Sequence, residues 1–119
     1  MEAEREIREA VAAHEQWKKR LISAIDDGAC DSDPCDLERD DSCPFGAWLH
    51  NGIASYLKIS ATYAVVMRTH ADFHREAARV LRLALEGKRD EALRQLGAGS
   101  FFSRSSDKLA SLLMLWNQY

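Results

Sequence analysis

Apolar residues near the start of the chain recur three and four positions apart, which is the spacing of one face of an α-helix. This pattern predicts a long first helix over about residues 2–25. Its inward face would carry Ile7, Val11, His14, Trp17 or Lys18, Leu21 and Ile25. A helix with one such face is stable when that face packs against other elements, so the pattern also predicts a helical core.

The same spacing returns over residues 60–86 and again near the end of the chain. The second long helix would end at Gly87, since glycine is the usual residue just beyond a helix C terminus. Its inward positions would be Tyr63, Val66, Met67, His70, Phe73, His74, Ala77, Val80, Leu81 and Leu85. A brief helix is expected over residues 90–96. A last helix would run to the C terminus with an apolar face of Leu109, Leu112, Leu113 and Trp116.

Two features separate the long helices. Residues 26–41 hold eight acidic side chains and one basic one, a local charge of −7, and are almost without apolar residues. This composition predicts a solvated acidic loop. A short helix should follow over about residues 44–51, with Ser42 or Cys43 as its N-cap and Pro44 as its first residue.

These elements predict an all-α fold, an antiparallel four-helix bundle with an additional short helix that carries Cys43. The length of 119 residues fits a single domain over residues 1–119. A net charge of −3 offers no basic surface for phosphates, so nucleic-acid binding is not expected. The apolar runs are shorter than the roughly 20 residues of a membrane span, and the charged N terminus does not resemble a signal peptide. We therefore expect a cytoplasmic protein without a membrane partner.

The four histidines of the chain are candidates for metal chemistry. His70 and His74 lie four positions apart in the second long helix, so both imidazoles would face the same side, one turn apart. Helices present two nitrogen ligands to one metal ion with this spacing. Zinc proteases with the same spacing have glutamate directly after the first histidine. Ala71 occupies that position here, so protease chemistry is not expected.

Two more residues could complete a metal site with this pair. His14 lies on the inward face of the first helix, where a core histidine with one hydrogen bond is the simpler interpretation. Cys43 precedes the short helix, where helix amides lower the pKa of a thiol, although a capping role is the simpler interpretation. With His70 and His74, these residues would offer three nitrogens and one sulfur. That is a complete tetrahedral set for zinc, with no position open for a substrate.

Three sequence elements resemble those of the chemoreceptor zinc-binding (CZB) domain family. They are His14-Glu15-Gln16-Trp17, Cys43-Pro44-Phe45-Gly46-Ala47-Trp48-Leu49 and His70-Ala71-Asp72-Phe73-His74. The resemblance covers about residues 6–115, and the second and third elements are specific when they occur together downstream of the first. It implies a helical bundle, usually a homodimer, that binds one zinc ion. The ligands it implies are His14, Cys43, His70 and His74.

The resemblance also implies a function. CZB domains occur at the ends of cytoplasmic chemoreceptors and on diguanylate cyclases. There they relay the zinc level, or oxidation of the zinc-bound cysteine by hypochlorous acid, to the attached output. The implied role is regulatory and not enzymatic, with Cys43 as the redox-sensitive residue and chemotaxis or cyclic-di-GMP synthesis as the output, in cis or in trans. The residues expected in the core beside the site, where they exclude water, are Trp17, Phe45, Trp48 and Phe73.

Two alternative functions stay open. The bundle could be a purely structural, zinc-stabilised dimerisation module, which the sequence does not distinguish from a sensor. It could also be a zinc hydrolase in which water replaces Cys43. That reaction lacks a general base, since Asp72 would lie on the side of the helix away from the histidines.

Three residues have no counterpart in the family pattern. Cys30 and Cys35 lie in the acidic segment, where they could form a disulfide, pair with Cys43 during oxidation, or have no role. His50 follows the second element and has no partner in the motif, so it is predicted to be a surface residue. We also find no signalling domain in this sequence beside the zinc-binding elements.

Overall fold

The computed structural model describes residues 2–116, and every regular element in that range is helical. The helices are α1 Glu2–Asp27, α2 Pro34–Glu38, α3 Pro44–Ala47, α4 Ala61–Leu85, α5 Arg89–Leu96 and α6 Phe101–Trp116. α3 continues directly into a π-helical turn over Trp48–Gly52, and a 3₁₀ turn covers Ser55–Ile59. None of these helices combines the length and apolar composition that crossing a bilayer requires. The all-α prediction is confirmed, while the predicted end of the last helix, beyond residue 116, lies outside the described residues.

The helix ends follow local sequence signals. Cys43 is the N-cap of α3, because its Sγ accepts a hydrogen bond from the Gly46 backbone amide at 3.3 Å. Ser60 caps α4 through a bond from the Tyr63 amide to its Oγ at 3.0 Å. Just after α4, Gly87 has a φ of +77°, a left-handed conformation that glycine adopts without strain. The predicted cap and the predicted stop are therefore both confirmed.

α4 is the central helix, and α1, α2, α5 and α6 all pack against it. Its buried residues are Val66, Thr69, His70, Phe73, His74, Ala77, Ala78, Val80, Leu81 and Ala84. α1 contributes Ile7, Ala10, His14, Leu21, Ala24 and Ile25 to the same core. Three of these core residues are histidines, which are usually only partly buried, so their position requires a chemical explanation.

Some predicted inward positions are less buried than expected. Leu85 is 38 % exposed, so its predicted place in the core is wrong. It is the last residue of α4, where the chain turns away at Gly87. Val11, Tyr63 and Met67 lie half-buried at the edge of the core.

The acidic segment is more ordered than a solvated loop, which corrects the prediction for residues 26–41. α1 extends through Asp27, and α2 forms with Asp33 as its N-cap, whose Oδ1 accepts from the Cys35 amide at 2.8 Å. Leu37 is only 5 % exposed and packs on the core formed with α4. One apolar side chain is enough to dock this short helix, although the average composition of the segment is strongly polar.

Candidate metal centre

Four side chains from three elements converge in the core: His14 from α1, Cys43 from the N-cap of α3, and His70 and His74 from α4. One ligand atom from each lies within 4.8 Å of all the others. The Nε2 atom of His70 is 3.2 Å from that of His14 and 3.1 Å from that of His74. The Nε2 atoms of His14 and His74 are 3.4 Å apart, and Cys43 Sγ is 3.4 Å from His70 Nε2. The structure thus brings together all four residues that the sequence singled out.

These distances match the edges of a tetrahedral coordination shell. Bond lengths of about 2.0–2.1 Å to nitrogen and 2.3 Å to sulfur place two nitrogen ligands about 3.3 Å apart and a nitrogen and a sulfur about 3.6 Å apart. The three nitrogen pairs span 3.1 to 3.4 Å, one sulfur–nitrogen pair is at 3.4 Å, and all four ligand atoms lie within 4.8 Å of one another. The three nitrogens therefore have the spacing that a bound zinc ion requires, and the sulfur lies beside them.

Hydrogen bonds on the outer side of two imidazoles indicate where their protons lie. His14 Nδ1 is 2.6 Å from the Ala10 carbonyl oxygen, and His74 Nδ1 is 2.8 Å from the Leu37 carbonyl oxygen. Because a carbonyl oxygen only accepts, each Nδ1 must be the donor, and the Nε2 of the neutral ring then carries a lone pair. The two Nε2 atoms face each other without a proton between them. A cation between these lone pairs would relieve their repulsion, and the outer carbonyls orient the rings as in known metal sites.

Burial favours the neutral form of these histidines. It lowers the pKa of His14 to about 4 and that of His70 to about 2, in each case as the largest cause. Burial is also the main cause of the lowered pKa of His74. Neutral imidazoles keep the lone pairs that metal binding requires.

The pKa of the Cys43 thiol differs from the prediction. Burial raises its pKa, and this outweighs the lowering by the backbone amides of Gly46 and Phe45. The expected low thiol pKa is therefore wrong for the chain by itself, since the four-residue α3 offers few amides against the cost of desolvation. A bound metal ion would reverse this balance, because a coordinating thiol is deprotonated.

Two phenylalanines contact the histidine rings directly. The Phe45 ring lies 5.2 Å from the His70 ring and 6.1 Å from the His14 ring, in edge-to-face arrangements. The Phe73 ring lies 4.9 Å from His14 and 5.6 Å from His74, also edge to face. Both phenylalanines are at most 3 % exposed, so they form an apolar wall around the nitrogen atoms.

The two tryptophans predicted beside the site lie further out. Trp48 is buried and packs on Phe45, with ring centroids 5.8 Å apart. It therefore stabilises the position of the Phe45 ring in the apolar wall. Trp17 is half-buried, and the Arg20 guanidinium lies 3.9 Å above its ring. Trp17 thus stands at the rim of the site, whereas the prediction placed it in the core.

The cluster approaches solvent on the side of the acidic segment. A groove of about 700 Å³ runs between this segment and α1, and both Cys43 and His74 line it. The carboxylates of Asp31, Asp33 and Asp36 line the same groove. Cys43 is half-buried, whereas the three histidines of the cluster are at most 7 % exposed. Arg20 also lines this groove and pairs with Asp31 at 3.1 Å, so the three carboxylates outnumber the one cation at the open side of the cluster.

Sequence reasoning missed two supporting contacts. The Leu37 carbonyl, which holds His74, comes from the segment predicted to be a solvated loop. The Asp33-Pro34 pair, a typical helix start, was the signal that could have revealed it. His50, predicted to be a surface residue without a partner, is half-buried, and its Nε2 lies 3.1 Å from Asp40 Oδ2. Nothing in the local pattern connects these two residues, which are ten positions apart.

Other candidate residues lie outside the cluster. Cys30 is half-buried, Cys35 is exposed, and both are free thiols. Within residues 2–116, the metal-binding group includes neither of them. Asp72 forms an ion pair with Arg75 on its own helix and is not a member of the group either.

Comparison with known proteins agrees with this geometry. The profile of one family, described as the chemoreceptor zinc-binding domain, matches residues 14–81, more than half of the chain. The matched range begins at His14 and includes Cys43, His70 and His74. A search of curated proteins and a search of solved structures each gave no match. The chain belongs to the chemoreceptor zinc-binding (CZB) domain family.

Proposed function

We propose that this protein is a zinc-binding regulatory module in which His14, Cys43, His70 and His74 hold one zinc ion. The observation that carries the proposal is the approach of three Nε2 atoms to within 3.1 to 3.4 Å of one another, with Cys43 Sγ 3.4 Å from one of them, where hydrogen bonding does not account for all the contacts. Membership of a family described as zinc-binding supports zinc as the ion. Four protein ligands leave no position for a substrate, which favours regulation over catalysis.

Cys43 is the ligand best suited to respond to a signal. The ion, when bound, supplies the positive charge that keeps its sulfur a thiolate, and zinc itself does not change oxidation state. His14 and His74 are held by backbone carbonyls and lie in long helices. Cys43 is half-buried at the start of the four-residue α3, and a 3.3 Å bond from the Gly46 amide supports its sulfur. Its position therefore depends more on the metal than theirs does.

Oxidation of the Cys43 thiolate is the signal that we propose. With hypochlorous acid, the sulfur loses two electrons and becomes a sulfenic acid, while chlorine gains them and leaves as chloride. A sulfenic acid is a weaker metal ligand than a thiolate, so α3 would loosen from the histidines of α1 and α4. A signalling partner such as a chemoreceptor or a diguanylate cyclase, in cis or in trans, would detect this change. A fall in zinc concentration would produce the same release.

We also propose that the module is a homodimer in the cytoplasm. The resemblance to the family supports this assembly. α6 carries Phe101, Met114 and Leu115 with exposed fractions of 61 %, 63 % and 53 %, which provides apolar surface for association. Light scattering of the purified protein at micromolar concentration tests the assembly, and a mass of 13.4 kDa, that of one chain, would contradict it.

A hydrolytic function has less support. Hydrolysis at a zinc ion requires a group that accepts a proton from the attacking water. Among the described residues, the metal-binding group holds no carboxylate, and the nearby Asp72 is engaged with Arg75.

The first experiment measures zinc in the purified protein by elemental analysis. We expect about one zinc ion per chain in the wild type and a large loss in Cys43→Ala. The matched control is Cys35→Ala, which removes an exposed thiol outside the cluster and should leave the zinc content unchanged. A wild type without zinc would contradict the whole proposal.

The second experiment separates a sensor from a structural site. The Cys30→Ser/Cys35→Ser protein, which keeps Cys43 as its only thiol, is treated with one equivalent of hypochlorous acid. Zinc release is followed with a coloured chelator, and the mass of the Cys43 peptide is measured. Zinc that stays bound beside an unmodified Cys43 would contradict the redox signal and leave zinc sensing or the structural dimerisation module as the function.

A further inference from the structure

Asp40 contacts two successive parts of the helical segment that follows Cys43. Its backbone carbonyl lies against Gly46 in α3, where an added Cβ would be only 1.6 Å from that oxygen. Its carboxylate lies 3.1 Å from Nε2 of His50, in the π-helical turn that continues α3. One residue of the acidic segment thus contacts this helical segment at two points, by a close approach at Gly46 and by a polar contact at His50.

These contacts connect Asp40 to the sulfur of Cys43 through Gly46. Asp40 lies against Gly46, and the Gly46 amide donates to Cys43 Sγ at 3.3 Å. The side chains of Asp40 and His50 are only 28 % and 34 % exposed, so solvent screens their contact less than it screens a surface pair. A shift of Asp40 would therefore be transmitted to the sulfur.

The charge of Asp40 is placed next to the helical segment that Cys43 caps. Its carboxylate contacts His50, in the π-helical turn that continues α3. A doubly charged ion held by one thiolate and three neutral imidazoles has a net charge of +1, which one nearby carboxylate balances. The adjacent Arg39 is 3.1 Å from Asp41, so this cation is engaged with the neighbouring carboxylate.

We propose that Asp40 and His50 are a positioning pair for the metal centre, which holds Cys43 Sγ in place and supplies the balancing negative charge. The inference rests on the proposed zinc binding. It assigns a role in that function to two residues that do not bind the metal. In known metal sites, loss of a contact made directly to a ligand weakens metal binding by roughly 10- to 100-fold, and since Asp40 and His50 act one contact further out, we expect the lower end of this range.

The test uses the full chain in the Cys30→Ser/Cys35→Ser background, with substitutions that separate the contact from the charge. Asp40→Asn keeps an acceptor for His50 and nearly the same volume but removes the charge. His50→Ala removes the contact and keeps the charge, and His50→Gln restores a donor. The control is Asp41→Asn, the same chemical change at the next residue, whose carboxylate faces Arg39.

Two readouts report on the sulfur rather than on the fold. One is the rate of zinc transfer to a coloured chelator, and the other is the thiolate-to-metal charge-transfer band of the cobalt-substituted protein. We expect His50→Ala to release zinc about 10-fold faster or more, with a weakened or shifted band. His50→Gln should return to within about threefold of the parent, Asp40→Asn should release zinc several-fold faster, and Asp41→Asn should match the parent.

Release rates and cobalt bands of Asp40→Asn and His50→Ala that match those of Asp41→Asn would overturn the inference. Should His50→Ala fail to fold, the two Asp→Asn variants, which preserve volume, decide the question. A parent protein that binds no zinc would instead contradict the proposed function itself. If the parent binds zinc through Cys43 and these variants behave like the control, only the positioning role fails.

Discussion

Replacing His70 with leucine should cost the metal-free protein less stability than the same replacement of His74, while both changes abolish zinc binding. The His70 side chain is fully buried, and its Nδ1 has no hydrogen-bond partner within the described part of the chain. Its Nε2 lies against two other imidazole nitrogens at 3.1 and 3.2 Å. Leucine has a similar volume and no polar atom. The substitution therefore removes a buried Nδ1 without a partner, but it also removes the Nε2 that neighbours the lone pairs of His14 and His74.

The expected magnitude follows from the contacts of each histidine. A buried polar atom without a partner costs about 1–3 kcal/mol, and an imperfect fit of the new side chain costs up to about 1.5 kcal/mol. For His70→Leu the gain from removing the unpartnered Nδ1 offsets the loss at the neighbouring Nε2 atoms and the imperfect fit, so we expect the metal-free free energy of unfolding to change by no more than about 1 kcal/mol. His74→Leu is the matched comparison, because its Nδ1 bonds to the Leu37 carbonyl at 2.8 Å. That variant leaves the carbonyl unpaired, so its free energy of unfolding should fall by about 1–3 kcal/mol.

Urea unfolding followed by circular dichroism measures both variants, first with a chelator and then with saturating zinc. Zinc should stabilise the wild type and neither variant, because a ligand that binds the folded state raises the free energy of unfolding. The reasoning would be refuted if His70→Leu lowered the metal-free stability as much as His74→Leu does. His70 would then have a structural role of its own.

Three further predictions concern the surroundings of the site. Phe73→Ala should lower the free energy of unfolding of the metal-free protein by about 3–5 kcal/mol, because the Phe73 ring is fully buried and contacts two of the histidine rings. A loss below about 1 kcal/mol in urea unfolding would contradict this. Gly46→Ala should weaken zinc binding about 10-fold or more in a chelator competition assay, because the new Cβ would displace the backbone carbonyl of Asp40. An unchanged zinc affinity would argue against the close approach of that carbonyl to Gly46. Replacing both Cys30 and Cys35 with serine should preserve about one zinc ion per chain by elemental analysis, and loss of the zinc would indicate a second thiol site.

Local patterns predicted the long helices and the histidine pair. The spacing of apolar residues in α1 and α4 has the period of a helix, and a four-residue spacing places His70 and His74 on one face whatever the rest of the fold does. The cap at Cys43 and the stop at Gly87 depend on the nearest few residues. Each of these features is determined within one or two helical turns.

The features that sequence reasoning missed depend on distant contacts. Leu37 docks α2 through burial against α4, and His50 meets Asp40 through the close approach of the acidic segment to Gly46. Neither contact follows from a period or a cap. The raised pKa of Cys43 has the same origin, since burial of its thiol by the surrounding elements outweighs the helix amides that the local sequence indicated.

X-ray absorption at the zinc edge of the purified wild-type protein tests the central claim most directly. It measures the ligands of the bound ion without any substitution. The account predicts one sulfur at about 2.3 Å and three nitrogens at about 2.0–2.1 Å. A zinc shell made only of nitrogen and oxygen would contradict it, because Cys43 would then not be a ligand.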